Sequence, residues 1–139
     1  MACMLALVDW FFSELEGKLV AVAGGNHDAG RSMRHANIDV IKNMLCGAEL
    51  LYDKDEICFI MGLGEARWRF KIRHIWRGRS IYNDTHRIEI DPKFGEDWFD
   101  VGIGSHTHRG TLFREFYFHR KRLLAMLTGT YKFHDRYAV

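Results

Sequence analysis

The chain has 139 residues, 47% of them apolar, 27% charged and 14% aromatic, with a formal net charge of +2. That composition suits one globular domain or part of one, and excludes a disordered chain, a coiled coil, a collagen-like repeat and a polyanion-coating tail. No run approaches the roughly twenty apolar residues of a membrane-spanning helix. The three Cys (Cys3, Cys46 and Cys58) have no paired spacing and read as reduced, buried small hydrophobes of an intracellular protein. The apolar start lacks a basic residue and is interrupted by Asp9, so it does not read as a signal peptide, and a cytoplasmic location is expected.

Leu5, Val8, Phe12 and Leu15 recur at helical spacing, and Gly17 marks the end of that helix. Leu19–Ala23 is a short all-apolar run of the kind buried on both faces in a parallel sheet, and it leads into Gly24-Gly25-Asn26-His27-Asp28. A second helix is predicted from about Met33 to Leu45, with Val40, Ile41, Met44 and Leu45 inward. Beyond Cys46-Gly47 the chain reads as strands: Glu49–Tyr52, Glu56–Met61 and Ala66–His74, with turns at Asp53-Lys54-Asp55 and Gly62–Gly64. Asp100–Gly104 is a further strand. Thr111–Tyr131 reads as a strand pair turning at Arg120-Lys121-Arg122. The order predicts an α/β beginning followed by a β-rich half, and the first strand has no preceding strand to pair with, as if the chain opened inside a βαβ unit.

Three clusters lie where predicted strands end. Asn26 and His27 follow two glycines; an amide oxygen is a neutral metal ligand and an adjacent imidazole moves protons, although Gly-Asn also makes ordinary surface turns. His74 closes an alternating run, Arg67-Trp68-Arg69-Phe70-Lys71-Ile72-Arg73, which places cations on one face and apolar side chains with His74 on the other. A core histidine held by a carbonyl fits the same position. Ser105-His106-Thr107-His108 places two imidazoles just past a strand, where they suit either neighbouring metal positions or a His-rich loop. Arg67, Arg69, Lys71, Arg73, Arg77 and Arg79 form a basic stripe, with a second at Arg114, Arg120, Lys121 and Arg122. These cations either draw an anionic substrate or are a solvated strand face.

Taken together, the clusters resemble the calcineurin-like metallophosphoesterase family. Gly25-Asn26-His27-Asp28 matches its Gly-Asn-His-Asp/Glu motif, His74 its isolated histidine, and His106-Thr107-His108 its Gly-His-x-His motif, with Ser105 in the glycine's place. The flank Arg73–Ser80, running on to Tyr82–His86, is similar to phage-type members. The resemblance covers roughly residues 5–137. It implies an α/β/β/α sandwich and metal-dependent hydrolysis of a phosphoester, the substrate being a nucleotide, a nucleic acid or another phosphoester. It further implies Asn26, His74 and His106 on one divalent transition metal (Mn, Fe, Zn, Co or Ni), His108 on a second, and a catalytic His27 that stabilises charge or protonates the leaving oxygen. Arg77 and Arg79, just past His74, are the candidates for phosphate contacts.

The family's early Asp-x-His and Gly-Asp motifs have no counterpart before Asn26. On this reading residues 1–139 are a single partial metallophosphoesterase domain, N-terminally truncated, that binds at most one metal well. Self-association is expected through an apolar edge left by missing strands. The alternative is a non-catalytic nucleic-acid or protein-binding module with a residual metal site.

Overall fold

The computed structural model describes residue 6 and residues 10–27, 29–78, 80–94, 98–107 and 110–129. The chain is mixed α/β and forms two compact units, Met1–Lys54 and Asp55–Val139.

In the first unit, residues 10–14 are helical and Gly17 lies at φ +70°, where the chain leaves the helix. Leu5 and Val8, expected to begin that helix, lie outside the described residues. Strand β1 (Ala21–Ala23) does have a parallel neighbour, and it comes later in the chain: β2 (Leu51–Asp53), with Ala21 opposite Leu51 and Ala23 opposite Asp53. The crossover holds two helices, α1 (Ala29–Ala36) and α2 (Val40–Met44), where the sequence pattern predicted one. The break has a local cause. Asn37 adopts φ +50°, a region Asn tolerates better than most residues. Asp39 then caps α2 by accepting from the Lys42 amide, and its carboxylate also accepts from the Tyr52 hydroxyl at 2.7 Å, tying α2 to β2. The segment Asp53–Asp55 is therefore the junction between units and not a hairpin turn within a sheet.

The second unit contains β3 (Glu56–Leu63), β4 (Ala66–Arg73), α3 (His86–Phe94), β5 (Val101–Gly104), β6 (Leu112–Phe118) and β7 (Lys121–Leu127). They form a five-stranded mixed sheet in the order β3-β4-β5-β7-β6, whose central strands β4, β5 and β7 run parallel. Antiparallel hairpins form its flanks, β3–β4 on one side and β6–β7 on the other. The second hairpin turns at His119-Arg120, between the paired Phe118 and Lys121, and not at residues 120–122. Both turn residues have positive φ, +48° and +63°, as the two-residue turn that matches strand twist requires.

Helix α3 was not expected; it contains Pro92, and a proline removes one helical hydrogen bond. The turn before it is held by side chains instead. The Ser80 hydroxyl accepts from the Asn83 amide, Asn83 Oδ1 accepts from the Thr85 amide, and Asn83 Nδ2 donates to Glu89 at 3.1 Å.

The core of this unit joins Trp76, Ile88, Phe99, Leu123, Ala125 and Leu127. In the register of the sheet, Lys71 neighbours Gly102 and Gly102 neighbours Ala125, so the cationic face of β4 is the face that carries this core. The alternating pattern pointed to the opposite arrangement, with the cations outward. The structure corrects it because α3 supplies the counter-charge: Lys71 is 4% exposed, and its ammonium lies 2.8 Å from Asp91. Glu56 pairs with both Arg73 and Lys71. Among the described residues, no helix is long and apolar enough to cross a membrane.

Candidate metal centre

Two of the predicted ligands meet. His74 follows the last residue of β4, and His106 lies two residues past the end of β5. The two strands are adjacent and parallel, with Arg73 opposite Gly104, so both histidines emerge from the carboxyl end of the sheet, where open α/β sheets gather ligands. His106 Nδ1 is 3.1 Å from His74 Nε2, and the rings meet edge to face.

The loop after β4 is held by Trp76, whose indole N–H donates to the Ile103 carbonyl at 2.9 Å. Arg73 sits over the Trp76 ring at 5.6 Å. Gly104 allows the close approach: a Cβ there would lie 2.8 Å from Trp76 Cδ1. Trp76 thus binds the His74 loop to β5, the strand that delivers His106. The neighbouring parallel strand closes the same end, since the Thr128 amide donates to the Gly104 carbonyl at 2.8 Å.

Ser105 has a role that the sequence pattern did not reveal. Its hydroxyl lies 2.7 Å from His74 Nδ1. A glycine at this point could not make that contact. The tautomer in which Nδ1–H donates to Ser105 leaves a lone pair on Nε2, the nitrogen facing His106. Metal-binding histidines are generally oriented by such an outer hydrogen bond. His106 itself has φ +77°, a conformation that costs a non-glycine residue on the order of 1–3 kcal/mol and tends to occur at functional sites.

The pair fits an ion geometrically. With metal–nitrogen bonds of about 2.1 Å, nitrogens 3.1 Å apart subtend roughly 95°, the angle between adjacent positions around one ion. The limit is the number of ligands. Among the described residues, no group of three or more His, Cys, Asp or Glu side chains is placed to hold a metal.

Asn26 and His27 form a turn between β1 and α1, at the carboxyl end of β1, with the Gly30 amide donating to the Gly25 carbonyl at 3.0 Å. They belong to the first unit and the histidine pair to the second. His27 is exposed, as is Arg77. Asp28, Arg79 and His108 lie outside the described residues. Of the basic stripe, Lys71 and Arg73 are taken up in ion pairs with Glu56 and Asp91. Compared with known families, curated proteins and solved structures, the chain matches none.

Proposed function

We propose that this protein is a calcineurin-like metallophosphoesterase, a metal-dependent phosphoester hydrolase with the sandwich fold of that family. The observation that carries the reading is the His74–His106 pair, its ring nitrogens 3.1 Å apart at the carboxyl ends of adjacent parallel strands, with Ser105 on the far nitrogen of His74. In this reading His74 and His106 would hold a divalent transition metal (Mn, Fe, Zn, Co or Ni). The ion supplies Lewis-acid activation of a phosphoryl oxygen and of water. His27 would stabilise charge or protonate the leaving oxygen, while Arg77 and Arg79 would draw the anionic phosphate toward the histidines. Neither an Asp-x-His nor a Gly-Asp motif precedes Asn26, the one Asp-x-His being Asp84-Thr85-His86, so single-metal occupancy and weak or no turnover by this chain alone belong to the proposal. So does a cytoplasmic location.

One observation favours a second reading, a binding module with a residual metal site: no third His, Cys, Asp or Glu joins the pair among the described residues. Hydrolysis of an aryl phosphodiester, measured beside Mn²⁺ uptake, separates the two. The enzyme reading expects Mn²⁺-dependent product that chelator abolishes and that falls at least tenfold in His27→Ala and His74→Ala. Metal uptake that His74→Ala removes, without hydrolysis, leaves the partial-enzyme form of the first reading, whereas salt-sensitive binding of nucleic acid or protein that chelator does not affect selects the second. A chain that takes up no Mn²⁺, Zn²⁺ or Co²⁺ overturns both.

A further inference from the structure

The cations of the five-stranded sheet fall into two groups. Lys71 and Arg73 pair with Glu56 and Asp91, Arg114 with Glu89, and Arg122 with Glu115. Among the described residues, no carboxylate pairs with Arg67, Arg69 or Lys121. These three line one open groove of about 380 Å³, together with Ile60, Trp98 and Asp100. The groove lies where β4 and β7 begin and β5 is about to begin, at the amino end of the parallel strands. The histidine pair is at the other end, since β4 runs from Ala66 to Arg73.

The three side chains are positioned by neutral groups. The Arg67 guanidinium donates to the carbonyls of Gly64 and Ala66, at 2.8 and 3.0 Å. Arg69 donates to the Trp98 carbonyl at 3.3 Å. The Lys121 ammonium sits 4.7 Å from the centre of the Trp98 ring, whose other neighbour is the stacked Phe118. The carboxylate of Asp100 is directed at N–H groups, accepting from the Arg69 amide at 2.8 Å and from the Trp98 indole at 3.4 Å. Each guanidinium is oriented by carbonyls that do not cancel its charge, so each keeps donors for an anion.

We infer that this groove binds a ligand carrying two or more phosphates, the chemistry shared by a single-stranded polynucleotide and a nucleoside polyphosphate. Three separately held cations favour a ligand with more than one phosphate. Arg67 and Arg69 are two residues apart on one strand face, their backbone positions roughly 7 Å apart, and Lys121 is two strands away, roughly 10 Å. Successive phosphates can engage cations anchored at such spacings one by one. The half-exposed Trp98 and the exposed Ile60 offer apolar surface to a base or sugar beside them. The inference uses neither histidine and needs no metal.

The test is fluorescence anisotropy of a short fluorescein-labelled oligothymidylate with the whole chain, in EDTA, so that the histidine pair takes no part. Unlabelled ADP and inorganic phosphate serve as competitors. Three phosphate contacts should lower the affinity about 18-fold between 50 and 200 mM salt, and loss of one contact should reduce that factor to about 7-fold. Lys121→Gln and Arg67→Gln should each weaken binding several-fold and flatten the salt response. Arg122→Gln, which removes a cation already paired with Glu115, should change neither. Lys121 is exposed and makes only a ring contact, so its variant should fold even if Arg67→Gln does not. Competition by ADP would identify a nucleoside polyphosphate site; competition by unlabelled oligothymidylate alone would identify a polynucleotide site. Inorganic phosphate should compete poorly. Absence of binding, equal loss in all three variants, or full competition by inorganic phosphate would overturn the inference.

Discussion

At the scale of single residues, Ser105 is the most informative position. Its hydroxyl, 2.7 Å from His74 Nδ1, fixes the ring whose other nitrogen faces His106. Ser105→Ala should leave the fold intact and weaken Mn²⁺ or Zn²⁺ binding about tenfold, the usual cost of losing an outer hydrogen bond to a ligating histidine. Competition with a metal-indicator dye measures this, and an unchanged affinity would remove Ser105 from the site. Gly102 is equally specific but structural. A Cβ there would collide with Ile88 and lie 2.8 Å from Phe99 Cε2, both fully buried side chains. Gly102→Ala should therefore cost about 1–3 kcal/mol, as overpacking of a dense core does, and denaturant unfolding would register it.

Elements were legible in the sequence to the extent that their signals are local. The strands Glu56–Leu63 and Ala66–Arg73 stand close to where alternation and flanking glycines put them, and the turn after β1 lies where its glycines predicted. Readings failed where a distant partner decides the outcome. Alternation in β4 identifies two faces but cannot say which one is covered, because Asp91 on α3, twenty residues from Lys71, makes the cationic face the inner one. α3 was missed because the Ser80, Asn83 and Glu89 side chains that brace its start form a signal visible only in three dimensions. For the site, the structure sets His74 and His106, singled out by separate motifs, 3.1 Å apart; Ser105 was noticed only as a departure from a motif, since a hydroxyl's partner cannot be read from spacing. The buried pair also yields a prediction. Asp91→Ala leaves the Lys71 ammonium, 4% exposed, with Glu56 as its remaining carboxylate, and should cost about 3 kcal/mol, the order seen when one partner of a buried ion pair is removed. An exposed control, Glu115→Ala, should cost less than about 1 kcal/mol.

At the scale of the whole molecule, the sheet leaves apolar side chains exposed on its outer strands: Leu63 is 76% exposed, Phe113 57% and Met61 38%. Among the described residues of the second unit, α3 is the helix present, and it packs on the opposite face. Sedimentation should show concentration-dependent self-association, weakened by Leu63→Glu, whereas a monodisperse monomer at every concentration would contradict it. The topology also sets an order of events when the chain folds. The hairpins β3–β4 and β6–β7 join neighbours in sequence and can close within microseconds. The central pairing of β4 with β5 joins Arg73 to Gly104, must bring α3 with it, and waits on a longer loop closure. His74 and His106 sit on either side of that last seam. A chain that has made only its hairpins has no histidine pair, so metal uptake in a refolding experiment should lag behind strand formation, reporting the moment at which the middle of the sheet closes.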